Sequence, residues 1–288
     1  DAVNKLNIKA EYIEPGEGAD RESAIRILAA QGFDLIIGVG FIFTDDLKNI
    51  ALEYPNSKFA GIDYVVLQDA NGKDILPPAN VAALKFREEE GSFLIGAIAA
   101  LSSNTGKIGF VGGMDIPLIH KFESGYKQGA KAVKPDIQII SNYAGVTGAA
   151  FKDPAKGKEL AMSQYGNGAD IIYHASGSTG LGVFEAAKTM NKLAIGVDAD
   201  QWRDMPGHVL TSMLKKVDVA VFDTIKEVVE NRFVGGIKIF GLKENGVGFV
   251  YDNNNASDKF ISEITYKKVM ELKNKIINGD ITIELNDR

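Results

Sequence analysis

Gly32-Phe33-Asp34-Leu35-Ile36-Ile37, running on to Gly61-Ile62-Asp63, returns in altered form as Gly168-Ala169-Asp170-Ile171-Ile172-Tyr173 and Gly196-Val197-Asp198. In each copy an apolar run ends in a turn rich in Gly, Ser or Thr, a helix-like stretch follows, and a second apolar run ends on an aspartate. Those second runs are Lys58-Phe59-Ala60-Gly61-Ile62 and Lys192-Leu193-Ala194-Ile195-Gly196-Val197. From the aspartate of the opening triplet to the final aspartate is 29 residues in the first copy (34 to 63) and 28 in the second (170 to 198). Strand, helix, strand, carboxylate, within the length of one βαβ unit, therefore occurs twice.

Upstream the echo continues and then fails. Asn7-Ile8-Lys9-Ala10-Glu11-Tyr12-Ile13-Glu14-Pro15 takes the place that Asp136-Ile137-Gln138-Ile139-Ile140-Ser141-Asn142-Tyr143 holds in the second half, each after a short helical tail. In the second half that tail belongs to a full unit, Lys107-Ile108-Gly109-Phe110-Val111-Gly112-Gly113 and a helix reaching Lys134. The first half has no counterpart. The repeat predicts that a first strand and most of a first helix, roughly 30 residues of a βα unit, are missing from the sequence as it stands or were lost from the protein.

Elsewhere, apolar runs rich in Val and Ile alternate with amphipathic stretches, the pattern of a parallel sheet covered by helices on both faces. Strands are expected near 8–13, 34–39, 58–62, 80–85, 107–111, 137–142, 170–174, 193–197 and 209–213. Helices are expected near 20–31, 44–54, 90–102, 118–133, 154–166, 180–190, 217–231 and 261–278. Thr44 before Asp45-Asp46, Asp153-Pro154, and Ser178-Thr179 before Gly180 mark helix starts. Phe240 to Asn255 reads as one or two short antiparallel or edge strands and a loop.

The expected fold class is α/β, two similar doubly wound lobes with a ligand cleft between them, because ligands of open α/β sheets collect at the carboxyl ends of the strands. The first lobe is expected over 1–104 plus about 207–240 and the second over 105–206 plus about 241–288. Those boundaries follow the Ser102-Ser103-Asn104-Thr105-Gly106 and Pro206-Gly207 turns.

Composition narrows the function. A chain of 288 residues, 45% hydrophobic, has material for two cores. A net charge of −6 without a Lys/Arg cluster gives no footprint for nucleic acid or for an anionic membrane surface. With no cysteine there is no disulfide, thiolate metal site or Cys nucleophile, and His120, His174 and His208 lack zinc spacing. Neither a metal nor a cofactor is expected.

Asp63 and Asp198 end equivalent strands, where a carboxylate can accept paired hydrogen bonds from vicinal hydroxyls; a turn or helix-capping aspartate is the competing reading. Lys215, beside Lys216 at the end of Val209-Leu210-Thr211-Ser212-Met213-Leu214, is either a ligand donor or a surface lysine. Phe151, in a Gly-Ala-Ala-Phe loop before a capped helix, either stacks on a ring or staples the helix. Gly177, in Ser176-Gly177-Ser178-Thr179-Gly180, belongs to a loop lacking both the GxGxxG order and the P-loop lysine; its glycines let the backbone approach a ligand or a helix. His174 reads as a core or rim histidine. Glu88-Glu89-Glu90 reads as an acidic first helical turn favoured by the helix dipole. No nucleophile, acid/base pair or GxSxG elbow stands out, which argues against an enzyme.

Phe86-Arg87-Glu88-Glu89-Glu90-Gly91-Ser92-Phe93-Leu94, Val111-Gly112-Gly113-Met114-Asp115-Ile116-Pro117, Phe122-Glu123-Ser124-Gly125-Tyr126, Ile195-Gly196-Val197-Asp198 and Leu210-Thr211-Ser212-Met213-Leu214-Lys215-Lys216-Val217-Asp218 together resemble the basic membrane protein family of substrate-binding lipoproteins. The resemblance implies the type I periplasmic-binding-protein fold and a non-catalytic, monomeric receptor outside the cytoplasm. Such a receptor delivers a purine nucleoside to an ABC transporter permease and meets the membrane only through a lipid anchor on its precursor. It further implies an aromatic on the base, aspartates on the ribose hydroxyls and a lysine nearby. At matching positions these are Phe151, Asp198 and Lys215, with Gly177 lining the pocket and Asp63 as a further carboxylate. The family's first strand leads into an Asp-containing loop and a Ser-Phe-Asn segment, and this sequence starts after both. A receptor for a sugar or another small polar ligand, or a ligand-sensing regulatory domain, is the alternative.

Overall fold

The computed structural model describes residues 2–16, 19–251 and 260–285. It divides into two compact units. Unit 1 comprises residues Asp1–Phe86 and Val217–Phe240; unit 2 comprises Arg87–Lys216 and Gly241–Arg288.

Unit 1 contains α1 (Ala2–Leu6), α2 (Ala19–Ala30), β1 (Leu35–Val39), α3 (Thr44–Glu53), β2 (Lys58–Ile62) and β3 (Val81–Phe86). Unit 2 follows with α4 (Glu88–Ser102), β4 (Lys107–Met114), α5 (Pro117–Val133), β5 (Gln138–Gly145), α6 (Pro154–Gly166), β6 (Ile171–Ala175), α7 (Gly180–Met190), β7 (Leu193–Gly196) and β8 (Val209–Lys215). The chain then gives α8 (Val217–Val229) and β9 (Gly236–Phe240) to unit 1, and β10 (Val247–Phe249) and α9 (Glu263–Asn278) to unit 2. The expected strand over Phe240–Asn255 is β10, and residues 252–255 lie outside the described residues.

Unit 1 holds a parallel sheet of order β1-β2-β3-β9, and unit 2 a sheet of order β10-β8-β7-β6-β4-β5 in which only β10 runs antiparallel. Buried strands such as β6, enclosed at every residue, explain the unbroken apolar runs. Leu47, Ile50 and Phe59 centre one core of unit 1; Tyr165, Ile172 and Phe184 centre one core of unit 2.

The passages between units do not fall where the turns of the sequence suggested. The expected boundaries at 104/105 and 206/207 are replaced by Phe86/Arg87 and Lys216/Val217, with a third passage at Phe240/Gly241. The reason is α4. Apart from Glu90 it is buried continuously from Glu88 to Ala100, and a helix apolar on all faces must be enclosed. It packs on α5 and α9 of unit 2, while β8, buried along most of its length, pairs with β7 and β10. Each unit thus hands over the chain between a strand and the helix after it, at positions equivalent under the repeat.

The strand expected at 8–13 does not form. β1 is the edge of its sheet, and a cavity of about 590 Å³ is lined both by this segment (Ile8, Ile13, Pro15) and by β1 and its neighbours (Ile25, Ile36, Val228). In unit 2 the equivalent place, between β5 and β6, is filled by β4. Among the described residues no strand pairs with the 8–13 backbone, and an extended segment without a ladder is not a strand.

Candidate functional site

Asp63 and Asp198 occupy matching places. Each stands one or two residues beyond an equivalent strand, β2 or β7, and each has a left-handed backbone, φ 59° and 67°. Among the described residues the other non-glycines with positive φ are all asparagines, Asn7, Asn191, Asn231 and Asn245. A left-handed turn costs an ordinary L-residue about 1–2 kcal/mol, and Asp and Asn bear it best. The Asp63 N–H donates to Leu84 O (2.9 Å), and Asp198 O accepts from Lys215 N–H (3.0 Å). The Ala199 N–H also reaches back to Val197 O (2.8 Å), closing a three-residue turn around Asp198.

A buried network holds that turn. His174, at the carboxyl end of β6, donates from Nε2 to Gln201 Oε1 (3.1 Å) and accepts at Nδ1 from Ser176 Oγ (3.4 Å). Gln201 Oε1 also accepts the Val197 N–H (2.8 Å), and the Gln201 N–H donates to Ser212 Oγ (3.0 Å). Burial lowers the His174 pKa from 6.5 to about 4, against the opposing pull of Gln201. Because the folded value lies below the unfolded one, this group's contribution is complete above pH 6.5 and is lost as pH falls towards 4. Across that window it removes about 3 kcal/mol of stability. Urea titrations at pH 7 and pH 4.5 are expected to show this acid loss in the native protein and a flatter pH dependence in His174→Gln.

Phe151 ends a short 3-10 turn, Gly148–Phe151, after β5. Its ring lies over β4, where a Cβ added to Gly113 would come within 2.3 Å of it. Ser178 and Thr179, read from the sequence as capping α7, do other work: Ser178 Oγ donates to Phe151 O (2.9 Å), and Thr179 Oγ1 donates to Ala150 O (2.8 Å) while accepting from Asp153 N–H (2.8 Å). Gly177 has φ 58°, and a Cβ there would lie 3.0 Å from Phe151 O. Phe151 and Gly177 are therefore neighbours. Asp153 does cap α6, accepting from Lys156 N–H (2.9 Å).

Lys215 ends β8 and is buried, with Nζ 3.1 Å from Glu88 Oε1. Lys121 of α5 pairs with the other Glu88 oxygen and lies 3.3 Å from Glu89 Oε2. Burial pushes the Glu88 carboxyl up, but Lys215 and Lys121 together outweigh it and hold it below the usual range. Burial prevails at Glu89, whose pKa is raised despite Lys121. The neighbouring Lys216 reaches Asn245 Oδ1 (2.6 Å) instead. Glu88 is the residue that sequence reading missed. A run of three glutamates looks like a solvated helix turn, and only its proximity to the buried Lys215 and the half-buried Lys121 distinguishes it.

On unit 2, then, Phe151 leans over β4, Gly177 follows β6, Asp198 follows β7 and Lys215 ends β8, all at the carboxyl edge of one sheet. From β4 to β7 is two strand spacings, about 10 Å. An aromatic face at one end and a carboxylate with an ammonium at the other suit a flat ring joined to a hydroxylated group. Asp63 presents the equivalent carboxylate on unit 1. Among the described residues no cluster of His, Cys, Asp or Glu is arranged to hold a metal ion, and no helix is long and apolar enough to cross a membrane.

Two α/β units of this kind, each with an aspartate just beyond an equivalent strand, have the architecture of periplasmic-type solute-binding proteins. A family model described as ABC transporter substrate-binding protein PnrA-like matches residues 1–287, and the chain belongs to this basic membrane protein (Bmp) family. Basic membrane protein A of Borreliella burgdorferi is 40% identical over 259 residues, 88% of this chain and 72% of its own length. The ABC transporter nucleoside-binding protein BmpA of Lactococcus lactis subsp. cremoris is 34% identical over 290 residues, 94% of this chain and 77% of its own. A crystal structure of an ABC transporter solute-binding protein from Aeropyrum pernix K1 superposes with a TM-score of 0.84 at 32% identity, covering all of this chain and 87% of that one.

Proposed function

We propose that this protein is the extracytoplasmic receptor of an ABC importer and binds a purine nucleoside, with the base stacked on Phe151 and the ribose hydroxyls on the carboxylate of Asp198. Asp63 and Lys215 supply further polar contacts. The protein acts as a monomer, closes on its ligand by hinge motion and hands it to a permease. The observation that carries the reading is the rim itself: an aromatic and a carboxylate on one sheet edge, with the carboxylate repeated by a left-handed aspartate in the other unit. A relative named as nucleoside-binding supports the ligand class.

Calorimetry with guanosine, inosine, adenosine, cytidine, ribose and galactose tests it. Heat with one or more purine nucleosides and none with the free sugars is expected; binding of a sugar alone, or of none of the nucleosides, overturns the reading. Removing the aromatic by Phe151→Ala is expected to weaken purine nucleosides by about 1–3 kcal/mol, the range measured for base stacking on aromatics. Phe151→Tyr keeps the ring and should retain most of the affinity in the same titration.

A further inference from the structure

The first turn of α4 fastens chain from all three passages between units, by contacts that lie inside unit 2. Glu88 stands two residues after the first passage and is fully enclosed, at 0% exposure. Its partner Lys215 stands just before the second passage, with Nζ at 3.1 Å. Glu90 Oε2 accepts the N–H of Leu242 (2.7 Å), two residues beyond the third passage. The Lys216 N–H, at the second passage, donates to Gly246 O (2.8 Å), whose own N–H donates to Gly241 O (2.8 Å) at the third.

A buried ion pair is a poor means of stabilising a fold, since well-packed apolar residues of similar volume commonly do as well or better. The rest of the α4–α5 contact shows that alternative, with glycines in close packing and apolar side chains such as Phe93 and Phe122. The charges at its end require another reason. A lysine on a flexible stem loses much rotamer freedom when a ligand fixes it, and less if the fold has fixed it first.

We propose that Glu88 is the positioning residue of Lys215: its carboxylate holds the ammonium at the β8 end of the rim, next to Asp198, before ligand arrives, and ties the ligand lysine to the start of the first passage. The inference rests on Lys215 being a ligand group, as proposed above.

Calorimetry with guanosine, inosine and adenosine, together with thermal unfolding, is applied to Lys215→Met, Glu88→Gln, Glu88→Asp, Lys121→Gln and the double variant Glu88→Gln/Lys215→Met. Lys215→Met and Glu88→Gln are each expected to weaken binding about tenfold, or about 1.4 kcal/mol. Adding Glu88→Gln to Lys215→Met should cost nothing further. Glu88→Asp, shorter but charged, should recover most of the affinity that the isosteric Gln loses, the reverse of what a packing role predicts. Lys121→Gln disturbs the same buried cluster and should lower stability while leaving affinity unchanged.

Native-like binding by Glu88→Gln beside weakened binding by Lys215→Met overturns the positioning role alone. Native-like binding by Lys215→Met overturns Lys215 as a ligand group and the inference with it. No nucleoside binding by the unaltered protein overturns the proposed function itself. If Glu88→Gln does not fold, Glu88→Gln/Lys121→Gln, which removes one charge of each sign, is compared with Lys121→Gln. The tenfold difference is again expected between them, and equal affinities overturn the inference.

Discussion

Asp198→Asn is expected to weaken ribonucleoside binding by about 2 kcal/mol, roughly 30-fold, the usual worth of hydrogen bonds to a charged group. The same substitution should leave the affinity for 2′,3′-dideoxynucleosides unchanged, because they lack the hydroxyls that we propose donate to the carboxylate. Asparagine is the appropriate replacement because Asp198 sits at φ 67°, where Asn is accepted and alanine adds strain. Asp198→Ala would therefore mix a lost ligand contact with a disturbed turn. Paired titrations of ribo- and dideoxynucleosides decide the matter; an equal loss for both assigns Asp198 to the turn and not to the ligand. Asp63→Asn, at φ 59°, offers the parallel experiment on unit 1.

The second large effect concerns stability. Gly125 and Gly129 of α5 face α4 so closely that a Cβ at Gly129 would stand 1.8 Å from Phe93 O and one at Gly125 2.2 Å from Glu89 O. Both obstacles are backbone atoms of a buried helix, so neither can swing aside. On an open helix surface, Gly→Ala gains up to about 1 kcal/mol of helix propensity. Here overpacking, which costs about 1–3 kcal/mol, opposes and exceeds that gain. Gly129→Ala is expected to destabilise the protein by about 2 kcal/mol and Gly129→Val by about 3 kcal/mol or more. Gly166, near the end of α6 with nothing within 4 Å of its would-be Cβ, serves as the control. Chemical denaturation of the three variants checks the order, and a neutral Gly129→Val would show that α4 and α5 can separate at little cost. Because α4 carries Glu88, variants at Gly129 should also weaken ligand binding if Lys215 depends on that helix being in place.

The near-repeat was enough to define much of the architecture. Period-two and continuous apolar runs are local properties, so β1, β2, β6 and β7 with their connecting helices were legible, as was the place of Asp63 and Asp198 at equivalent strand ends. The segment 8–13 was not, because its apolar pattern is that of a strand and only the absence of an adjacent ladder keeps it from being one. Ser178 and Thr179 looked like helix caps for the same reason: a hydroxyl before a helix has the right chemistry, and only the fold brings the Phe151 loop within its reach.

By itself, then, the sequence determined the α/β class, the duplication, the strand-end aspartates and the family, all of which depend on residue order and spacing over short ranges. Only the tertiary structure decided where the chain passes between units, because that depends on which helix must be enclosed on every face. It also decided that Asp63 and Asp198 each take a left-handed backbone, and that Glu88, separated from Lys215 by more than a hundred residues, is its buried partner. Burial converts a run of three acidic residues into one enclosed carboxylate between two lysines, and the partners of a buried charge come from elements that local pattern does not connect.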